Sequence, residues 1–459
     1  MTWLTLAEIA QMTNGTLMSP LTERSRSEQC RSIKIERIER DSRNAQAGDL
    51  FLALQGERFD AHDFVPQVAG KASAALVSNS VDADIPQVLV DDVRLALGRL
   101  AAAWRKRFHK PLVGLTGSNG KTTLKEMLTA ILSLKGRTLA TAGNLNNDIG
   151  MPLTLLRLRD TDEFAVIEMG ANHFGEIDYL TRIACPDVAI INNAGAAHLE
   201  GFGDIAGVAR AKGEIFAGLA EGGTAIINAD DDWADYWYGL NQGCKVLGFG
   251  MERQADVQGS TDDDNRFYIQ ARGHTVEVRL GLLGRHNQMN ALAATAAALA
   301  LGLDMETVRQ GLESLQPVKG RLNPKTGKHG GMVIDDTYNA NPTSTAAAVA
   351  VLAGLNGKKI LVLGDMGELG NTGEQLHAAI GKQAAAAGID ALYTLGNLSA
   401  GASRAFGQPE KAFTDLDALL AALEADLQAG TNVLVKGSRA SRMERVVAAL
   451  TADAVREAA

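Results

Sequence analysis

The rhythm of apolar and polar residues changes twice along the chain, marking out three blocks. Up to about residue 90, short stretches such as SIKIERI and DLFLAL stand between polar turns. Their alternation has the period of a strand with one covered face, and few long helical patterns intervene. A small α/β domain over residues 1–88 is expected.

From Pro111 the texture shifts. PLVGLTG is a short apolar run that predicts a strand. In KTTLKEMLTAILSLKG, Leu124, Met127, Leu128, Ile131 and Leu132 fall at i, i+3, i+4, i+7 and i+8, which is one face of a helix. EFAVIEMG and DVAIINNAG are again apolar runs that end in turn residues, each followed by a helical pattern. Strands alternating with helices predict a parallel, doubly wound sheet in a central domain, residues 89–318. Near Lys319 a third block begins. GMVIDD, KKILVLGD, ALYTLG and TNVLVKGS predict four more strands between alanine-rich helices. They suggest a separate Rossmann-like sheet over residues 319–459. The expected fold class is therefore α/β in three domains.

Composition narrows the function. Apolar residues make up 46% of the 459 and charged residues 22%, as in an ordinary globular protein. A net charge of −9 argues against a broad nucleic-acid footprint, but it permits a local basic pocket for a small anion. No apolar run has the length of a membrane span, and the opening MTWLTLAEIAQMTNG lacks the basic and apolar regions of a signal peptide. A cytoplasmic protein is expected. Cys30, Cys185 and Cys244 have no metal-ligand spacing and no even-numbered disulfide framework. They are expected to be buried small apolar residues.

GLTGSNGKTT, residues 114–123, carries the first chemistry. The usual phosphate loop is G-x-x-x-x-G-K-[ST], which would put a glycine where Leu115 stands. Here the glycines are Gly114, Gly117 and Gly120. The context is nonetheless right, because a strand runs into the loop and a helix leaves it. Backbone N–H groups at a helix N-terminus bind phosphate oxygens. Lys121 would offset β/γ-phosphate charge and the Thr122 hydroxyl would ligate Mg²⁺. A second cluster, LGDMGELG, is spaced G-x-x-G-x-x-G and not G-x-G-x-x-G, so tight turns suit it better than a dinucleotide site.

Polar residues just past apolar strands come next. Glu168 ends AVIE and His198 follows VAIINNAGAA. In an open parallel sheet ligands gather at the C-terminal strand ends, which makes both candidate metal ligands beside the loop. Asn287 and Asn290 in GRHNQMNALAA could read an adenine edge or could serve as helix caps. Arg321 and VIDDTYNANPTS stand at the join to the last domain. An arginine reaching across would stabilise a transferring phosphoryl group.

In this order, the residues resemble the Mur ligases, the ATP-dependent amide-forming family of peptidoglycan synthesis. The loop G-x-x-G-x-x-G-K-[ST], Glu168, His198 in NNAGAAHLEGFG, HNQMNALAA, Gly320-Arg321 and DDTYNANP carry the likeness. Further stretches at 41–64, 143–156, 334–344, 361–370 and 434–444 are similar to members that add D-alanyl-D-alanine to UDP-N-acetylmuramoyl-tripeptide. The resemblance spans all three domains.

It implies that Gly117, Ser118, Asn119, Gly120, Lys121, Thr122 and Thr123 hold the ATP phosphates. Thr122 and Glu168 would share one Mg²⁺, and His198 would lie on a second. Lys212 matches a lysine that carries a carbamate in several relatives, with a plain salt-bridging lysine as the alternative. Asn287 and Asn290 are expected near adenine, Asp336 at the ribose, Tyr338 on the base and Arg321 at the γ-phosphate. Ser42 and Arg43 would meet the uridine diphosphate. Asn146, Asn147, Asn339 and Asn341 would face the substrates, and Lys436, Ser438 and Arg439 the incoming dipeptide. A monomer is implied. Another amino-acid ligase of the superfamily and a P-loop switch or motor ATPase are the rival readings.

Overall fold

The computed structural model describes residues 4–19, 29–56, 59–197, 199–328 and 330–451. Among these, three sheets of five, nine and six strands follow one another along the chain, beside one two-stranded pair.

The first sheet runs Thr16–Met18, Gln87–Leu89, Ala74–Val77, Asp49–Leu52 and Arg37–Glu39; only its first strand is antiparallel. DLFL does not alternate as expected, for all four residues are buried. Leu50 and Leu52 enter one core with helix Leu6–Thr13, while Phe51 and Ala53 enter a second with Val65 and Val68. A parallel strand covered on both faces reads as a continuous apolar run. Strand Gln87–Leu89 straddles the boundary expected at 88. Helix Val93–Arg105, capped by Asp92, then carries the first core into the central sheet, with Leu97 and Leu100 in one cluster with Ile167 and Leu180.

The central sheet contains the expected strands Leu112–Thr116, Phe164–Glu168 and Val188–Ile191, with Thr138–Ala140, Thr224–Asn228 and Lys245–Gly250 parallel to them. It is not wholly parallel. Val257–Thr261, Phe267–Ala271 and His274–Val278 extend it as an antiparallel meander, because short turns join them where no crossover helix intervenes. The predicted helix is Lys121–Ser133, and its five apolar-face residues are fully buried. It packs against helices Arg285–Ala300 and Met305–Ser314, the alanines of the first letting it lie deep in the core.

The third sheet has the four expected parallel strands, Met332–Asp336, Asn432–Lys436, Lys359–Gly364 and Ala391–Leu395. Edge strands Asn323–Thr326 and Ala412–Phe413 are added to them. All three cysteines are free. Cys30 is buried as expected, but Cys185 and Cys244 are exposed: one closes helix Glu176–Ala184 in a left-handed turn, the other sits in the turn before Lys245–Gly250.

Candidate active site

The C-terminal ends of the central and third sheets face one cavity of about 1570 Å³. Loop residues Ser118 to Thr123, strand-end Glu168, Asn192 and Asn228, and Asp336 and Lys436 from the third sheet all line it. Such placement is the rule for open parallel sheets.

The three loop glycines have different reasons. Gly117 and Gly120 have φ of 156° and 77°, and Gly120 caps helix Lys121–Ser133. A Cβ on Gly120 would also lie 2.4 Å from Asn290 Oδ1. Gly114 lies inside the strand, where a Cβ would press Met169 and Pro186 at 3.1 and 3.2 Å. Lys121 Nζ donates to the Gly117 carbonyl at 2.6 Å. Burial holds its pKa below the usual lysine range, partly offset by Glu168.

Around Lys121 the polar groups converge. Thr122 Oγ1 donates to Glu168 Oε2 at 3.1 Å, and Asn146 Nδ2 donates to Glu168 Oε1 at 2.7 Å. Glu168 is almost wholly buried, and its backbone N–H donates to Thr141 Oγ1. Arg321 reaches across from the third domain and donates to Thr122 Oγ1 at 3.1 Å. Its guanidinium lies 4.1 Å from the Tyr338 ring centroid, and its buried Nε has no partner among the described residues. Asn341 Nδ2 likewise crosses to Asn119 Oδ1 at 2.8 Å.

Other expected residues have different surroundings. Asn290 accepts from Asn192 Nδ2 and donates to Asn287 Oδ1, while Asn287 Nδ2 donates to Leu283 O. Both asparagines line the cavity, Asn290 lies against Gly120 of the loop, and neither side chain caps the helix. Asp336 is tied to Lys436 by a buried ion pair of 2.6 Å, and Lys436 also donates to Asn339 O. Asn147 and Arg439 line the cavity, but Ser438 is buried beside Ser441. Ser42 and Arg43 lie in a short turn outside it, with exposed Arg43 folded onto Asp41. His198 lies outside the described residues. Lys212 is fully buried, its Nζ 5.6 Å from the Phe202 ring centroid, and among the described residues it makes no ion pair. Burial and the nearby Lys121 charge push its pKa down to about 7.

Sequence reasoning missed Asn192, Asn193 and Asp231. Asn192 and Asn193 both donate to Asn119 O, and Asp231 accepts from Ala194 N–H. Their signal was position, because each stands just past an apolar strand in INNAG or IINADD.

A phosphate loop at a strand end, a Thr–Glu pair beside it and an arginine from a second α/β domain define a nucleotide-dependent enzyme whose site is shared between domains. Two family models match the chain: Mur ligase middle domain over residues 115–298 and Mur ligase, glutamate ligase domain over residues 320–439. The UDP-N-acetylmuramoyl-tripeptide–D-alanyl-D-alanine ligase of Escherichia coli (strain K12) is 46% identical, covering 97% of this chain and 98% of that protein. MurF from Acinetobacter baumannii superposes with a TM-score of 0.89 at 40% identity, covering 98% of each chain. MurF ligase from Thermotoga maritima, in complex with ADP, gives a TM-score of 0.81 at 32% identity, covering 90% of this chain and 96% of that one. The chain belongs to the Mur ligase family.

Proposed function

We propose that the chain joins D-alanyl-D-alanine to UDP-N-acetylmuramoyl-tripeptide, the substrates its relatives' names print, and that ATP is hydrolysed to ADP and phosphate in the reaction. The observation that carries the reading is the convergence of Lys121, Thr122, Glu168 and the domain-crossing Arg321 at one loop. A carboxylate is a poor electrophile, so it must be activated. A tripeptide carboxylate oxygen attacks the γ-phosphorus, ADP leaves and an acyl phosphate forms. The dipeptide amine then attacks the acyl carbon, loses a proton, and phosphate departs from the tetrahedral intermediate.

Two anions meet in the first step. The Lys121 ammonium leaves the Gly117 carbonyl for the phosphates, and Arg321, with an unpartnered Nε, turns to the transferring group. The loop amides of Gly117 to Thr123 hold the phosphate chain. Tyr338 offers a ring face to the base, and Asp336 a carboxylate to the ribose. Asn146, Asn147, Asn339 and Asn341 face the peptide, and Lys436, Ser438 and Arg439 the dipeptide. Ser42 and Arg43 receive the uridine diphosphate, which requires Arg43 to leave Asp41.

Thr122 Oγ1 and Glu168 Oε2, 3.1 Å apart, are hard oxygen donors and would hold a Mg²⁺ ion beside the phosphates. Bound there, Mg²⁺ supplies charge neutralisation at the phosphates. A second ion would depend on His198. Lys212 suits a carbamate, because an amine with pKa about 7 is largely neutral at the pH where carbon dioxide can add. Among the described residues no helix is long and apolar enough to cross a membrane. A cytoplasmic monomer of three domains, divided near residues 88 and 318, completes the reading.

Lys121→Ala tests it. Phosphate release coupled to ligation should fall roughly 10²–10³-fold while the UDP-tripeptide still binds. Ligation at the wild-type rate would refute the role. Steady ATP turnover by the wild-type protein without amide product would favour the switch or motor reading instead.

A further inference from the structure

LGDMGELG has no part in the chemistry above, yet it is laced to the site. Strand Lys359–Gly364 ends there, and the Asp365 carbonyl accepts from Ser438 N–H and from Ser441 Oγ, both at 2.9 Å. A Cβ on Gly364 would meet Met443 Sδ at 2.8 Å and Ser441 Cβ at 2.9 Å, so only glycine lets the two turns lie together. The turn at 437–442 carries Arg439 into the cavity.

Beneath this junction lies His377, fully buried on helix Gly373–Ala386. Its Nε2 is 2.9 Å from the Met366 backbone nitrogen and its Nδ1 is 2.7 Å from the Gly373 carbonyl. A backbone amide only donates and a carbonyl only accepts. The imidazole is therefore neutral, with the proton on Nδ1. Met366 Sδ in turn accepts from Thr345, on the helix Pro342–Ala353 that Asn341 caps. The glycine turn is thus tied to two of the chain segments that bring third-domain residues to the cavity, the one before helix Pro342–Ala353 and the turn at 437–442.

We propose that His377 is a positioning residue, whose neutral ring holds Met366 and through it the turn that presents Arg439 to the incoming dipeptide. The proposal rests on the ligase reading above. Protonation would set an Nε2–H against the Met366 N–H and undo the peg. Desolvation already disfavours the charged ring. Of the charged groups around it, Asp365 favours protonation, Glu374 on its own helix is paired with Arg404 of helix Ala400–Phe406, and helix Pro342–Ala353 brings none.

The test is steady-state kinetics of wild type, His377→Leu and His377→Gln across pH, varying ATP and D-alanyl-D-alanine separately. Loss of one buried hydrogen bond predicts that His377→Leu raises KM for the dipeptide about tenfold, with kcat and KM for ATP within about twofold. In wild type the dipeptide KM should climb as pH falls below the ordinary histidine range. His377→Gln, whose amide can both donate and accept, should keep a low KM and lose that climb. The same acid climb in His377→Gln overturns the proposal, as does a leucine variant that shifts every parameter together. If His377→Leu does not fold, the wild-type and glutamine pH profiles decide. If wild type ligates no D-alanyl-D-alanine at all, it is the ligase reading that fails.

Discussion

Gly120 carries two constraints at once. Its φ of 77° belongs to the left-handed region, and its missing Cβ leaves room for Asn290. Gly120→Ala should therefore shift the loop amides and Lys121 together, with a loss of roughly 10²-fold in kcat/KM. ATP titration calorimetry and ligation assays would measure it, and a variant with unchanged nucleotide affinity would contradict the argument. Lys212 gives a pH prediction. Its pKa falls from 10.5 to about 7 on folding. Between those values the unfolded chain holds a proton that the folded lysine has released, so this group's contribution to stability rises with pH. Lys212→Met should melt a few degrees higher than wild type at pH 7 in buffer free of carbon dioxide. That advantage should shrink toward pH 10, and a pH-independent difference in melting temperature would sink the account.

At the scale of elements, parallel strand ends do most of the positioning. Strands Met332–Asp336 and Asn432–Lys436 are neighbours, and their last residues pair directly across the ladder. The Asp336–Lys436 ion pair is almost wholly removed from water, so deleting one partner strands a buried charge. Lys436→Met should cost about 3–5 kcal/mol in the stability of the third sheet, read as a lower denaturant midpoint. A midpoint equal to wild type would show that the pair is solvated or dispensable. If Asp336 takes the ribose as proposed, it must exchange Lys436 for it or share both.

The whole molecule has its site between domains. Arg321 and Asn341 reach from the third domain to Thr122 and Asn119 of the phosphate loop. Ser42 and Arg43 of the first domain do not reach the cavity, although Asp92 and Arg94, just past its sheet, do. An acyl phosphate must be kept from water, so the domains are expected to close further around bound substrates. Small-angle scattering with an ATP analogue and UDP-tripeptide should show a smaller radius of gyration than the free protein. No compaction would count against closure.

The local pattern alone determined the α/β class, the two main parallel arrays, the phosphate-loop helix and the strand-end Glu168. Each of these is written within a few consecutive residues, as period, spacing or glycine position. The antiparallel meander 257–278 was not placed from the sequence: Phe267–Ala271 does alternate, but its membership of the central sheet and the cover it shares with helices Arg285–Ala300 and Met305–Ser314 come from packing. Partnerships were not legible either. The Asn192–Asn290 bond and the Asp336–Lys436 pair join residues distant in sequence, and the burial of Lys212 and the seat of His377 depend on the packing of whole elements. Distance across space, and the desolvation that follows from it, exist only once the chain has folded.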